Sequence, residues 1–141
     1  MKIIFKKMTI FFILAVLPAL PGELWAEESS EVLGEPTLTR AVMCESIQKF
    51  APNNIAVVFS IDVARIHCFT EFDPVPKQTI IFHKWYQSGN LVSVKQLTVN
   101  PPRWSSISSM QLRDADKGPW QVEVTDKFGK LLHTLRFSIT D

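Results

Sequence analysis

The residues best suited to holding a metal are three histidines, His67, His83 and His133, and two cysteines, Cys44 and Cys68. Zinc sites in small domains draw ligands from short-range spacings such as C-x-x-C, and none of these residues is spaced that way. Two histidines instead fall in alternating apolar patterns, His83 with Ile81 and Trp85, and His133 with Leu131 and Leu135. Each is therefore expected to be a hydrogen-bonded residue at the edge of a core. No metal and no cofactor are expected. For nucleophilic catalysis, Ser105, Ser106, Ser108 and Ser109 lack the G-x-S-x-G elbow and read as a solvated strand face. Glu71 and Asp73 could serve as the carboxylate pair of a glycosidase, but their spacing near a strand end fixes no separation across a cleft. No catalytic residue is assigned, and a non-enzymatic role is expected.

The aromatic residues say more. Trp85 and Trp120 lie on apolar faces and are expected, with Val122 and Phe137, in the core, where each indole N–H needs one acceptor. Trp104 follows Pro101, Pro102 and Arg103 at a strand entrance. An indole exposed there and stacked with Arg103 could receive a sugar ring, whereas a packed one would close an end of the fold. The segment Thr79 to Tyr86 is apolar on both faces, with Ile81, His83 and Trp85 on one and Ile80, Phe82, Lys84 and Tyr86 on the other. A strand with one face in water does not carry such a pattern. If Trp85 points inward, then Phe82, Lys84 and Tyr86 point outward, beside Gln121, Glu123 and Thr125 on one neighbour and Arg136 on another. Aromatics ringed by charge suit an interface. These three residues are the candidate contact surface, unless Leu91–Val99 or the stretch from Glu27 to Pro36 covers them.

Strands must position these residues. The chain has 141 residues, 46% hydrophobic and 21% charged, which suits one small domain. With 15 Lys+Arg against 14 Asp+Glu it lacks the basic excess of a nucleic-acid binder, and nine prolines argue against long helices. After Thr37, apolar residues recur with period two, and turn residues break the pattern about every ten residues. Strands are predicted over Leu38–Cys44, Ile55–Ser60, Arg65–Phe72, Thr79–Tyr86, Leu91–Val99, Trp104–Arg113, Trp120–Thr125 and Leu131–Ile139. Asp126-Lys127-Phe128-Gly129 joins the last two as a hairpin whose glycine takes the left-handed conformation. About seven short strands over residues 37–141 predict an all-β, immunoglobulin-like antiparallel β-sandwich. Cys68 followed by Trp85 fits that order, with Gly118-Pro119-Trp120 as an aromatic corner and Val122 in the place of the second bridging cysteine.

Ahead of this domain, Lys2, Lys6 and Lys7 form a basic lead before an uncharged run from Met8 to Leu20, and Leu24-Trp25-Ala26 leads into Glu27-Glu28. That is the layout of a cleaved signal peptide over residues 1–26. A spanning helix needs about 20 apolar residues, and this run is shorter and contains Pro18, so no stable membrane span is expected after processing. Residues 27–36 are acidic and small and read as a flexible lead-in. Export places the product in the periplasm or outside the cell, where an even pair of cysteines favours a disulfide between Cys44 and Cys68. Closing that loop would stabilise the fold by about 3 kcal/mol in the chain-entropy view.

The ordered motifs Arg40-Ala41-Val42-Met43-Cys44, Cys68-Phe69-Thr70-Glu71-Phe72, His83-Lys84-Trp85-Tyr86, Pro102-Arg103-Trp104-Ser105-Ser106, Gly118-Pro119-Trp120-Gln121-Val122-Glu123-Val124 and Leu135-Arg136-Phe137-Ser138-Ile139 resemble a bacterial family. It is known as Domain of Unknown Function 2914. The resemblance spans Arg40 to Asp141 and implies an envelope-associated β module, with no activity, ligand or catalytic residue to carry over. The expected protein is an exported, non-catalytic sandwich that binds another envelope protein through the face of Phe82, Lys84 and Tyr86. The alternative is a binder of cell-wall carbohydrate or peptidoglycan, using Arg103, Trp104 and Tyr86 as a stacking platform.

Overall fold

An alternating strand offers half its side chains to a core, so two sheets must face each other to bury them. In the computed structural model, which describes residues 34–141, nine strands do this. One sheet runs in the order β2 (Ala51–Ile55), β1 (Leu38–Gln48), β4 (Arg65–Phe72), β7 (Trp104–Gln111). The other runs β3 (Val58–Ser60), β9 (Leu131–Thr140), β8 (Gly118–Asp126), β5 (Thr79–Gln87), β6 (Asn90–Val99). Neighbours are antiparallel except β3, which lies parallel to β9. The expected signal peptide, and residues 27–33 of the expected lead-in, lie outside the described residues. Among the described residues no helix is long and apolar enough to cross a membrane.

The fold is the predicted all-β sandwich, with nine strands where the pattern marked out eight segments. The segment Ile55–Ser60, predicted as one strand, is divided between the sheets. Its first residue ends β2, Ala56 and Val57 cross over, and β3 resumes on the far side. Backbone bonds hold the crossing at both ends, Ala56 N–H to the Met43 carbonyl at 3.2 Å and Ser138 N–H to the Val57 carbonyl at 2.9 Å. Similarly, β1 runs past Cys44 to Gln48 and turns back through Lys49 and Phe50. Both take the left-handed region, at φ 51° and 61°, as a two-residue hairpin turn requires. Neither is Gly or Asn, the residues that normally announce such a turn.

Phe137 is the hub of the core. Its ring stacks on Trp120 at 6.1 Å and meets Trp85 and Phe59 edge-on at 6.2 and 6.1 Å. Met43, Ile66 and Cys68 close over this cluster from the four-stranded sheet. Cys68 on β4, Trp85 on β5 and Val122 on β8 meet where immunoglobulin domains set a cysteine, the core tryptophan and the second cysteine. Trp120, two residues before Val122, donates its indole N–H to the Asp116 carbonyl at 2.6 Å. That bond does the work of the tyrosine corner in immunoglobulin-like domains, tying the start of a core strand to the loop before it. A second cluster, Phe72, Val75, Ile81, Val99 and Val124, fills the other end.

Candidate functional site

Register places the candidate residues. Trp85 and Ile81 are completely buried, so the intervening pleat sends Phe82, Lys84 and Tyr86 to the outer face of the five-stranded sheet, each half-buried. Cross-strand rows build the surface from there. Arg136, Gln121, Tyr86 and Leu91 form one row across β9, β8, β5 and β6. Thr134, Glu123, Lys84 and Val94 form the next, and Thr125, Phe82 and Gln96 the one after. Tyr86 Oη donates to Glu123 Oε2 at 3.2 Å, and Gln121 Nε2 to Glu123 Oε1 at 3.4 Å. Partial burial, and then the adjacent Glu123 carboxylate, hold the Tyr86 phenol above its ordinary pKa. Leu91–Val99 does not cover this face. It lies in the plane of the sheet as edge strand β6 and extends the surface with Leu91, Val92 and Val94, each about half exposed.

Arg103 and Trp104 are elsewhere. Trp104 opens β7 in the other sheet, paired with Phe72 at the end where the β4–β5 loop leads into Thr79. Val75 N–H bonds the Pro102 carbonyl there, at 2.7 Å. Tyr86 stands towards the opposite end of β5, about 23 Å along the strand from Thr79 at the usual rise. The stacking platform of Arg103, Trp104 and Tyr86 is therefore not assembled. Arg103 is ion-paired with Glu71, and Trp104, 38% exposed, shares the Phe72 side and partly closes that end.

The three histidines do not converge. His67 lies on β4 in phase with the outer face of its sheet, its pKa held below the ordinary value by burial and then by Arg65. His133 is exposed, beside Thr39 and Ala41. His83 lies inside rather than at the core's edge, completely buried, in a polar chain that joins the two sheets. Trp85 Nε1–H donates to Ser108 Oγ at 3.1 Å, and Ser108 Oγ lies 2.6 Å from His83 Nδ1. His83 Nε2 is 3.0 Å from Thr70 Oγ1, which donates to the Ser106 carbonyl at 3.3 Å. Every bond has a donor only if Ser108 donates to Nδ1 and a neutral ring donates from Nε2. Burial pushes the His83 pKa down to about 4, in keeping with that neutral form. Ser106 and Ser108 thus face inward, 4% and 6% exposed, contrary to the expected solvated serine face.

The expected Cys44–Cys68 disulfide is absent, for both thiols are free and fully buried. Register sets Cys68 opposite Met43 and Cys44 opposite His67, one residue out of phase. Successive strand residues point to opposite faces, so Cys68 joins the core with Met43 while Cys44 falls in the outward phase. A disulfide needs Cβ atoms about 3.5–4.5 Å apart and facing each other. Burial pushes both thiols above their ordinary pKa, and for Cys68 the nearby Cys44 adds to that effect, while for Cys44 backbone hydrogen bonds and Arg40 oppose it.

One feature escaped the sequence pattern. Val58 pairs with Ser138 on the outward phase of β9, and Val57 beside it is 67% exposed. With Pro119, Gln121, Arg136 and the Ser88–Gly89 turn they bound a trough of about 510 Å³ at one end of the candidate face. The only hint was the unbroken apolar run Ala56-Val57-Val58-Phe59, which no alternation explains.

Residues 78–139 match the family model described as Protein of unknown function (DUF2914), the family whose motifs the sequence resembles. The match takes in β5 through nearly all of β9, and so all four strands carrying the rows above, while β1 to β4 fall before it. No curated protein matches the chain.

Proposed function

We propose that the protein is an exported, non-catalytic interaction module that works in the periplasm or outside the cell and binds another envelope protein. The outer face of the five-stranded sheet is its docking surface, with Phe82 and Tyr86 as anchors and Lys84 and Arg136 at the charged margin. One observation carries this reading: Phe82 and Tyr86 remain on the outer face of the sheet, and β6 lies beside them instead of over them. Aromatic side chains concentrate binding energy at interface centres, while surrounding polar groups set register and exclude wrong partners. Export rests on the basic lead and uncharged run of residues 1–26.

Site-specific photo-cross-linking in intact cells tests the proposal. A photoreactive residue at position 82 or 86 is expected to trap one discrete envelope protein, and the same residue at Ser105, outside this face, to trap none. Equal products from all three positions would contradict it.

A further inference from the structure

The trough at the end of the docking face has a chemistry of its own. Val57 and Val58, 67% and 56% exposed, form one wall, and the turn at Ser88 and Gly89 closes the other side. Pro119 and Gln121 lie between them, with the Arg136 side chain at the inner margin. Gln121 and Arg136 are cross-strand partners, and Gln121 pairs in turn with Tyr86, so the trough opens directly onto the row that holds Tyr86. Its volume, about 510 Å³, is ordinary for a ligand site.

Charge decides what fits. Arg136 is exposed and makes no ion pair among the described residues, where the pairs found are Arg103–Glu71 and Lys117–Asp141. The nearest carboxylate along the rows, Glu123, is occupied by Tyr86 on one oxygen and Gln121 on the other. Lys84 on the adjoining row likewise has no ion pair among the described residues. A planar guanidinium beside an apolar wall selects a carboxylate next to an apolar group, because it bonds carboxylate oxygens in pairs while the wall takes up the neighbouring side chain. Val57 ends the crossover and Val58 opens β3, a sheet-edge strand whose far side has no strand partner among the described residues. An edge of that kind can bond the main chain of an extended segment.

Resting on the proposed role of the sheet face, the geometry points to an extended acidic segment of the partner protein as the occupant of this trough. A carboxylate of the segment sits on Arg136, and a flanking apolar side chain lies on Val57 and Val58. The segment then continues across Gln121 towards Tyr86.

The test is an NMR titration of the 15N-labelled full chain with two blocked heptapeptides, one alternating valine with aspartate and the other valine with lysine. The acidic peptide is expected to shift the amides of Val57, Val58, Gln121 and Arg136, and to bind Arg136→Glu at least tenfold more weakly. Absence of these shifts at millimolar peptide, equal binding of the lysine peptide, or unchanged binding to Arg136→Glu would overturn the assignment. The underlying reading fails separately. An Arg136→Glu chain still trapped by its partner from position 82 removes the acidic segment and leaves the docking face. Loss of trapping from position 82 in the unaltered sequence removes the face itself.

Discussion

His83 Nδ1 lies 2.6 Å from Ser108 Oγ, and the same oxygen accepts the Trp85 indole N–H. One serine hydroxyl of β7 therefore reaches from the other sheet to join the central tryptophan and the buried histidine, both on β5. The arrangement has no place for a second ring proton, because Ser108 would then have to accept from both neighbours and find a new acceptor for its own hydrogen.

A pH dependence follows. The unfolded chain takes up a proton at His83 near pH 6.5, while the folded chain resists until about pH 4. Between those values the unfolded state binds more protons, so folding is weakened as pH falls, by roughly 3 kcal/mol in all, and the penalty is absent above pH 6.5. NMR titration of the His83 ring is expected to show a neutral Nε2–H form at pH 5.5. A midpoint near 6.5 would contradict the buried chain.

Trp120 supplies a second test. Its indole N–H bond to the Asp116 carbonyl anchors the start of β8. Trp120→Phe keeps most of the stack on Phe137 and loses that bond, so denaturant unfolding should show a loss of about 1–3 kcal/mol. Trp104→Phe, at a partly exposed position without such a bond, should change stability by less than about 0.5 kcal/mol. Equal effects would remove the corner from the account.

Thiol reactivity checks the cysteines. Both are buried with raised pKa, so both should resist a thiol reagent in the native state and react once the chain is unfolded in guanidinium. Lack of reaction in denaturant without reductant would mean a bridge had formed.

The sandwich was legible because the strands that matter most alternate cleanly. Trp120, Val122 and Val124 on β8, and Phe137 and Ile139 on β9, announce their buried faces, and Gly129 marks the turn between them. The same alternation put Phe82 and Tyr86 outside as soon as Trp85 was placed inside. Three things were hidden, each for a physical reason. The β1–β2 hairpin turns on Lys49 and Phe50, which adopt left-handed backbone without the usual glycine or asparagine. The crossover at Ala56–Val57 interrupts an apolar run whose pattern does not record a change of sheet. Ser108 looks like a surface serine because the histidine that its hydroxyl meets inside is on another strand, and Ser106 shares its phase on β7. The cysteine pairing failed for a related reason, since loop length says nothing about a one-residue difference in register.

The docking face is tested most directly by a Phe82→Ser, Tyr86→Ser double variant, assayed for thermal unfolding and for partner trapping from a photoreactive residue at Gln96. Half-buried cross-strand aromatics contribute less than about 1 kcal/mol each, against about 3–5 kcal/mol for a buried aromatic such as Trp85. The expected result is a melting temperature lowered by only a few degrees, with the trapped envelope protein lost. Undiminished trapping, or a collapse in melting temperature like that of a core truncation, would contradict a docking role for this face.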